Sequence, residues 1–220
     1  MRGSSGSWGS QLSKPTLMVV VQRYGDGVAG GAEAHAREVV RRLAPHFAVE
    51  VATSTALDYW TWDHVLVPGL DKVDGVPVHR FTVVSGRARD FRRYERAAFG
   101  SGAKRADEEA FVRKQGPHVP ELLEHVHRRG REVDHTLFFT YIYEPTALGL
   151  PLVPERAVLV HGVALDAADV ARVVARGAAV VWCPASNLRL LGRTLDPRPL
   201  LAARRLALGT DSRLSGAPDL

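Results

Sequence analysis

A cluster of glycines follows the first apolar run of the chain and precedes an amphipathic stretch. The run LMVVVQRY leads to Gly25, Gly27, Gly30 and Gly31, and Glu33 begins the first turn of the predicted helix. A glycine loop at a helix start leaves backbone N–H groups free, and the helix dipole adds partial positive charge. The pattern predicts a phosphate or other anion site, with a glycine turn that binds nothing as the alternative. The spacing is not G-x-G-x-x-G, so a nicotinamide cofactor is not indicated.

His125 and His127 form the one His-x-His pair in the sequence. They lie in PELLEHVHRRG, a predicted helix that starts at Pro120, where proline is tolerated, and stops at Gly130. Side chains two residues apart on a helix point about 200° apart and cannot share one metal ion. We therefore expect both histidines to be structural or solvent-exposed.

Apolar strands alternate with amphipathic helices, which favours a parallel sheet covered on both faces. We expect one three-layer, doubly wound, Rossmann-like α/β domain over residues 16–213, with about seven mostly parallel strands. Residues 1–15 are expected to form a linker-like tail, and residues 214–220 a C-terminal tail. The predicted strands are 17–22, 48–53, 76–83, 135–143, 157–162, 178–183 and 205–210, and the predicted helices are 31–43, parts of 90–116, 120–130, 164–177 and 186–193.

The composition excludes several classes of protein. The net charge is +5, but the arginines are spread along the chain rather than clustered, which argues against nucleic-acid binding. Cys183 is the single cysteine, so no intrachain disulfide forms, and it is predicted to pack as a small apolar residue. No run approaches the ~20 apolar residues of a membrane span. We predict a cytoplasmic protein without a membrane partner.

Residues 17–160 resemble the N-terminal domain of a family 4 retaining glycosyltransferase. The resemblance is carried by GGAEAHAREVVRRLA, VEVATSTALDYWTW, VDGVPVHRF, QGPHVPELLEHV and LFFTYIYEPTALGLPLVPERAVLV. It implies a Rossmann-like domain whose Gly30, Gly31 and Glu33 approach a sugar-nucleotide diphosphate and its acceptor. Tyr141 and Tyr143, at the end of a predicted strand, are expected to line the same cleft, with packing into the protein, as is usual for strand aromatics, as the alternative. In such enzymes a second Rossmann domain supplies most donor contacts and is missing here, so we expect weak donor binding and negligible transfer.

Residues 159–219 resemble the last part of an amidohydrolase-superfamily hydrolase of the deaminase type. The matching stretches are HGVALD, VVWCPASNLRLL and LGTDS, each at the end of a predicted strand or after one. The resemblance implies that His161 activates water or substrate and that Asp211 is a metal ligand and proton shuttle. A catalytic zinc needs about three protein ligands, and these two residues leave the set incomplete. We expect neither zinc nor another cofactor, beyond weak binding of a nucleoside-diphosphate sugar.

His161 and Asp211 also have structural alternatives. Both resemblances place His161 at the carboxyl end of a strand, where a histidine can instead be a satisfied polar group. Asp211 lies in a Gly-Thr-Asp-Ser turn, and aspartate often caps such turns.

Three functional hypotheses follow from the two resemblances. In the first, the barrel-derived βαβαβ segment extends the first sheet, and the chain is a recombined or engineered chimera selected for folding without efficient catalysis. In the second, it is a sugar-nucleotide-binding module with residual glycosyltransferase character, the activity we favour if any remains. In the third, it is a metal-dependent amidohydrolase reassembled in an oligomer. An open sheet edge also predicts a homodimer.

Overall fold

The computed structural model describes residues 13–140, 142–153, 155, 157–160, 162–163 and 165–209. Most of the predicted N-terminal tail, and all of the predicted C-terminal tail, lie outside these residues. The strands are β1 (Thr16–Val20), β2 (Ala48–Ser54), β3 (Gly69–Val73), β4 (Val76–Phe81), β5 (His135–Phe138), β6 (Ala157–Val160), β7 (Ala179–Trp182) and β8 (Leu206–Leu208). The helices are α1 (Gly31–Leu43), α2 (Phe91–Ala98), α3 (Arg105–Gln115), α4 (Pro120–Arg129), α5 (Glu144–Ala147), α6 (Ala167–Ala175), α7 (Pro184–Leu191) and α8 (Arg198–Ala202), with a 3₁₀ turn at Leu150–Leu152.

The strands form one eight-stranded sheet in the order β3-β4-β2-β1-β5-β6-β7-β8. Each neighbouring pair is parallel except β3 with β4, which is antiparallel. The prediction of an α/β fold with a mostly parallel sheet is confirmed, but the sheet has eight strands rather than about seven. The additional strand is β3, which lies between the predicted strands 48–53 and 76–83.

The β3–β4 hairpin turns at Asp74 and Gly75, which both have positive φ angles, of 49° and 83°. Asp-Gly is a strong signal for a two-residue hairpin loop, because both central positions of a type I′ turn require positive φ. β3 was missed because four of its five residues are exposed, so it lacks an apolar pattern.

β1 is buried on both faces because helices cover the sheet from both sides. Val19 belongs to a cluster that includes Ala36 and Val40 of α1. The alternating neighbour Val20 belongs to a second cluster that includes Leu122 of α4. Successive strand residues point to opposite faces, so a strand covered twice reads as a continuous apolar run.

The segment after β5 continues the same sheet. β6 pairs with β5 on one side and with β7 on the other, and β8 is added beyond β7. Val170 of α6, Val180 of β7 and Leu200 of α8 form a further buried cluster. Asp166 is the N-cap of α6, since its side chain accepts a hydrogen bond from the Asp169 backbone N–H at 2.8 Å.

Two elements differ from their predictions. The predicted strand 135–143 ends at Phe138; Thr140 then has a positive φ of 68°, which breaks the extended backbone. Tyr143 therefore lies at the start of α5 rather than at the end of a strand. None of the described helices is both long and apolar enough to cross a membrane.

Candidate functional site

The chain leaves β1 through Gln22 and Arg23, and both side chains bind Glu33 in the first turn of α1. Arg23 Nη2 donates to Glu33 Oε1 at 2.6 Å, Arg23 Nε at 3.0 Å, and Gln22 Nε2 at 2.8 Å. The Arg23 and Glu33 side chains are 4% and 7% exposed, so this is a buried ion pair. Arg23 also donates to the carbonyls of Leu57 and Ala29. The Glu33 carboxylate thus anchors α1 to the end of β1.

This ion pair explains why position 30 is a glycine, but it does not explain the glycine at position 31. A Cβ atom at Gly30 would lie 2.0 Å from Glu33 Oε2, so the carboxylate occupies the space that a side chain would need. A Cβ atom at Gly31 would meet no atom within 4 Å. Of the three predicted anion-site residues in this loop, Gly30 and Glu33 therefore have a structural role, and Gly31 leaves the helix start open.

The start of α1 faces a cavity at the carboxyl ends of the strands. Gly30 is the N-cap residue and supplies no capping side chain, because glycine has none. A cavity of about 540 Å³ lies beside this helix start. Its described lining comes from α1, from the ends of β5, β6 and β7, and from α5, and includes Ala32, His35, Thr140, Thr146, Val160 and Cys183. Buried Cys183 therefore packs at the edge of this cavity.

The cavity lies where the strand order changes direction. β2 and β4 lie on one side of β1, whereas β5 to β8 lie on the other. Gln22 connects the two halves at this point, because it donates to Glu33 and accepts from Thr140 Oγ1 at 3.0 Å. In open α/β sheets, ligands bind outside the carboxyl ends of the strands at such a reversal.

An aromatic wall stands beside the ion pair. The ring of Tyr143 packs edge to face against the ring of Trp62, which is buried, and the two centroids lie 5.1 Å apart. The Arg23 guanidinium carbon lies 5.9 Å from the Trp62 ring and 5.6 Å from the Tyr59 ring. Burial raises the pKa of the Tyr143 hydroxyl. Tyr143 thus packs against Trp62 at the start of α5, and it is not among the described residues that line the cavity.

A histidine–carboxylate pair on the same edge of the sheet was missed by the sequence analysis. His118 Nδ1 lies 2.9 Å from both carboxylate oxygens of Glu144, which is fully buried. Glu144 also accepts a hydrogen bond from the Val119 backbone N–H at 3.0 Å, just before α4 begins. The two residues are far apart in the chain, so no local pattern could have paired them.

The two predicted metal residues cannot be placed, because the structure does not describe them. His161, Asp211 and Tyr141 lie outside the described residues. Within these residues, no group of three His, Cys, Asp or Glu side chains could hold a metal ion. His125 is buried and His127 is exposed, as expected for neighbours at this spacing on a helix.

Comparison with known proteins gives a partial match. No protein-family model matches the chain. The aminodeoxyfutalosine deaminase of Deinococcus radiodurans is 46% identical over 68 residues, which are 30% of this chain and 16% of that protein. The chain thus spans about one sixth of the length of this curated relative.

Two solved structures align with most of the chain at low similarity. An adenosine deaminase from Xanthomonas campestris, with bound zinc, is 19% identical, with a TM-score of 0.36 over 92% of this chain and 38% of that one. A triazine hydrolase variant is 14% identical, with a TM-score of 0.39 over 91% of this chain and 46% of that one. TM-scores this low identify no shared fold. The conclusion therefore rests on the sequence match to the Deinococcus deaminase. Part of this chain is similar to an amidohydrolase-type deaminase.

Proposed function

We propose that this chain is a chimera that joins a glycosyltransferase-like segment, residues 17–160, to an amidohydrolase-like segment, residues 159–219. The joined protein folds as one sheet and lacks efficient catalysis. The 68-residue similarity to a deaminase supports the second segment, because it has nearly that segment's length and covers only 16% of the relative. A fragment of this size carries little of a deaminase active site.

The pairing of β6 carries the proposal. β6 lies at the proposed junction, and it hydrogen-bonds to β5 of the first segment and to β7 of the second. Without β3, the parallel strands lie in the order β4-β2-β1-β5-β6-β7-β8. When these seven strands are renumbered along the chain, the order is 3-2-1-4-5-6-7. We infer a Rossmann-like sheet from this order, whose first six strands match the doubly wound arrangement. A βαβαβ segment from a barrel fits it, because right-handed crossovers are common to both folds.

Activity assays test the absence of efficient catalysis. The purified protein, supplied with zinc, is assayed for ammonia release from aminodeoxyfutalosine and for sugar-nucleotide turnover. We expect rates equal to those of heat-denatured protein. Zinc-dependent ammonia release that is lost in both His161→Ala and Asp211→Ala would contradict the proposal and support a reassembled amidohydrolase. An uninterrupted reading frame at a natural genomic locus, with measurable turnover, would also count against a chimera.

A second candidate is a binding module for sugar nucleotides. The observation that favours it is the open start of α1 beside the cavity at the strand-order reversal. Free N–H groups at a helix start bind phosphate, and the dipole adds to the attraction. A cavity of about 540 Å³ is within the size range of small-molecule sites.

Isothermal titration with UDP, GDP, ADP and their sugars tests this candidate. We expect weak heats that disappear in Ala32→Asp, because this change places a carboxylate on the cavity side of the first turn. Ala34→Asp is the matched control, since Ala34 is exposed in the same turn and does not line the described cavity. The candidate is removed if the unmodified protein gives no heat at millimolar ligand.

A further inference from the structure

Arg87 carries a positive charge that is not paired with any acidic side chain among the residues that the structure describes. Its guanidinium lies between two aromatic rings, 4.9 Å from the Trp60 centroid and 4.8 Å from the Phe91 centroid. Its one hydrogen bond within the described chain runs from Nη2 to the Tyr59 carbonyl at 3.1 Å. Arg87 Nε is buried and has no partner there. Most arginines with a structural role in this protein pair with a carboxylate, so Arg87 differs from them in its chemistry.

The rings beside Arg87 are held in place and remain open to solvent. Tyr59 and Trp60 are 39% and 54% exposed, and their ring centroids lie 4.9 Å apart. Asp58 Oδ1 accepts hydrogen bonds from the backbone N–H groups of Trp60 and Thr61, both at 2.8 Å. These hydrogen bonds lower the pKa of the Asp58 carboxyl. A surface that is ordered before binding loses less conformational entropy when a ligand arrives.

This surface adjoins the glycine loop. Arg23 contacts the Tyr59 ring and also donates to the Ala29 carbonyl, one residue before Gly30. The Arg23 charge is already neutralised by Glu33. Of these two arginines, Arg87 is therefore the one whose charge is available to a ligand at the aromatic surface.

We propose that Arg87, Trp60 and Tyr59 form a binding site for an anionic sugar, a pyranose that carries a phosphate or a carboxylate. The exposed indole and phenol rings pack against the apolar face of the sugar ring. The Arg87 guanidinium pairs with the anionic group, for which its planar N–H groups are suited. The binding of this ligand does not depend on either function proposed above.

Titration with four probes tests the site, with two-dimensional NMR shifts of the indole N–H groups as the signal. The probes are glucose 6-phosphate, glucuronate, glucose and inorganic phosphate. We expect at least one anionic sugar to bind about tenfold or more tightly than glucose and phosphate, because it uses both the rings and the guanidinium. The better of glucose 6-phosphate and glucuronate identifies the anionic group.

Variants separate the two parts of the site. Arg87→Gln and Trp60→Ala should each weaken the anionic sugar about tenfold, while Arg87→Lys retains part of the affinity because it keeps the charge. The matched controls are Arg93→Gln and Phe99→Ala, at exposed positions of α2 and its end, and they should bind normally. The melting temperature of each variant shows whether it is folded.

Three results would overturn the site: equal affinity for glucose and the anionic sugars, equal affinity for phosphate alone, or unchanged binding in folded Arg87→Gln. The nucleotide titration of Ala32→Asp is scored separately. Loss of nucleotide binding with retained sugar binding leaves this site intact, so the two proposals fail independently.

Discussion

Glu33 lies in the first turn of α1, where an acidic side chain is expected beside the positive end of the helix dipole. Its carboxylate, however, accepts hydrogen bonds from Arg23 and Gln22 and is almost fully buried. A carboxylate with these partners fixes the helix on the sheet. The same residue type at the same position was predicted to face a ligand, and burial by partners from β1 is what distinguishes the two roles.

Replacement of Glu33 by glutamine tests the anchoring role. Glu33→Gln leaves the Arg23 charge buried without a counter-charge, which should lower the free energy of unfolding by about 3–5 kcal/mol. Denaturant unfolding measures the change. Glu38→Gln on the same helix is the control, since the Glu38 side chain is solvent-exposed and should matter little. Equal effects of the two variants would show that the buried pair is not the anchor.

Gly30 and Gly31 make a matched pair for a second test. Gly30→Ala should destabilise the protein strongly, because the added Cβ atom would overlap the Glu33 carboxylate at 2.0 Å. Gly31→Ala should be neutral or stabilising, since alanine favours helix and meets no atom within 4 Å. Thermal unfolding of both variants shows which of them has the lower melting temperature. The close approach is disproved if Gly30→Ala melts no lower than Gly31→Ala.

At the scale of the element, α6 begins with a reciprocal capping box. Asp166 accepts from the Asp169 backbone N–H, and Asp169 accepts from the Asp166 backbone N–H at 3.1 Å. The helix lies in the segment that the sequence analysis compared with an amidohydrolase, and it contributes Val170 to the buried cluster under β7. Its capping therefore affects how firmly this segment joins the sheet.

Asp166→Ala should cost about 1 kcal/mol, because it leaves an N–H group of α6 without its capping acceptor. Asp90→Ala is the control: Asp90 precedes α2 in the same N-cap position but makes no capping hydrogen bond. Urea unfolding of the two variants gives the comparison. Hydrogen exchange should also show that Asp166→Ala lowers the protection of backbone amides most in α6 and β7. A uniform loss of protection across the whole sheet would mean that this segment does not open separately.

At the scale of the whole molecule, stability should depend on a buried histidine. His125 of α4 packs against the rings of His79 and Phe81. Its pKa is lowered to about 4, mainly because the imidazole is buried; the neighbouring His79 also lowers this pKa, while Glu50 opposes the shift. Arg128 and Arg129 are the other charged groups that act on it, both lowering its pKa.

The direction of the pH dependence follows from the different pKa of His125 in the unfolded and the folded chain. The unfolded chain takes up a proton at His125 near pH 6.5, whereas the native protein resists it until about pH 4. Stability should therefore fall as the pH is lowered through this window. In His125→Phe this part of the pH dependence should disappear, and in His127→Gln, at an exposed position, it should remain. Unfolding curves of both variants from pH 7 to pH 4 measure this pH dependence. If the free energy of unfolding of His125→Phe still falls with pH as in the unmodified protein, His125 is not its source.

The two edges of the sheet differ in their tendency to pair with another chain. The edge strand β3 carries Asp71 and Lys72, and charges on an edge oppose such pairing. The opposite edge, β8, has the uncharged sequence Leu-Ala-Leu, and Leu208 is 55% exposed. We therefore expect the predicted homodimer to form through β8.

Sedimentation velocity tests the dimer. The unmodified protein should show a concentration-dependent shift from monomer to dimer, which Leu208→Lys should reduce because it adds a charge to the edge. Leu70→Lys on β3 is the control, because Leu70 is 72% exposed on the edge that we do not expect to pair. A strict monomer at all concentrations would exclude the dimer.

The local elements could be predicted from residue order, because their patterns need only neighbouring residues. The start of α1 after the glycines, the cap of α6 at Asp166 and the position of β1 could all be predicted from spacing and residue type. The hairpin at Asp74 and Gly75 also had a local signal, although β3 itself lacked an apolar pattern.

The roles of the polar residues at the strand ends depend on contacts between distant parts of the chain. The pairs Arg23–Glu33 and His118–Glu144, and the placement of Arg87 between Trp60 and Phe91, depend on which strands and loops become neighbours. Whether a charge is an anchor or remains available to a ligand depends on burial and on partners that are distant in the chain. These contacts form only when the sheet is assembled, so residue type and spacing could locate the candidate site but could not assign its chemistry.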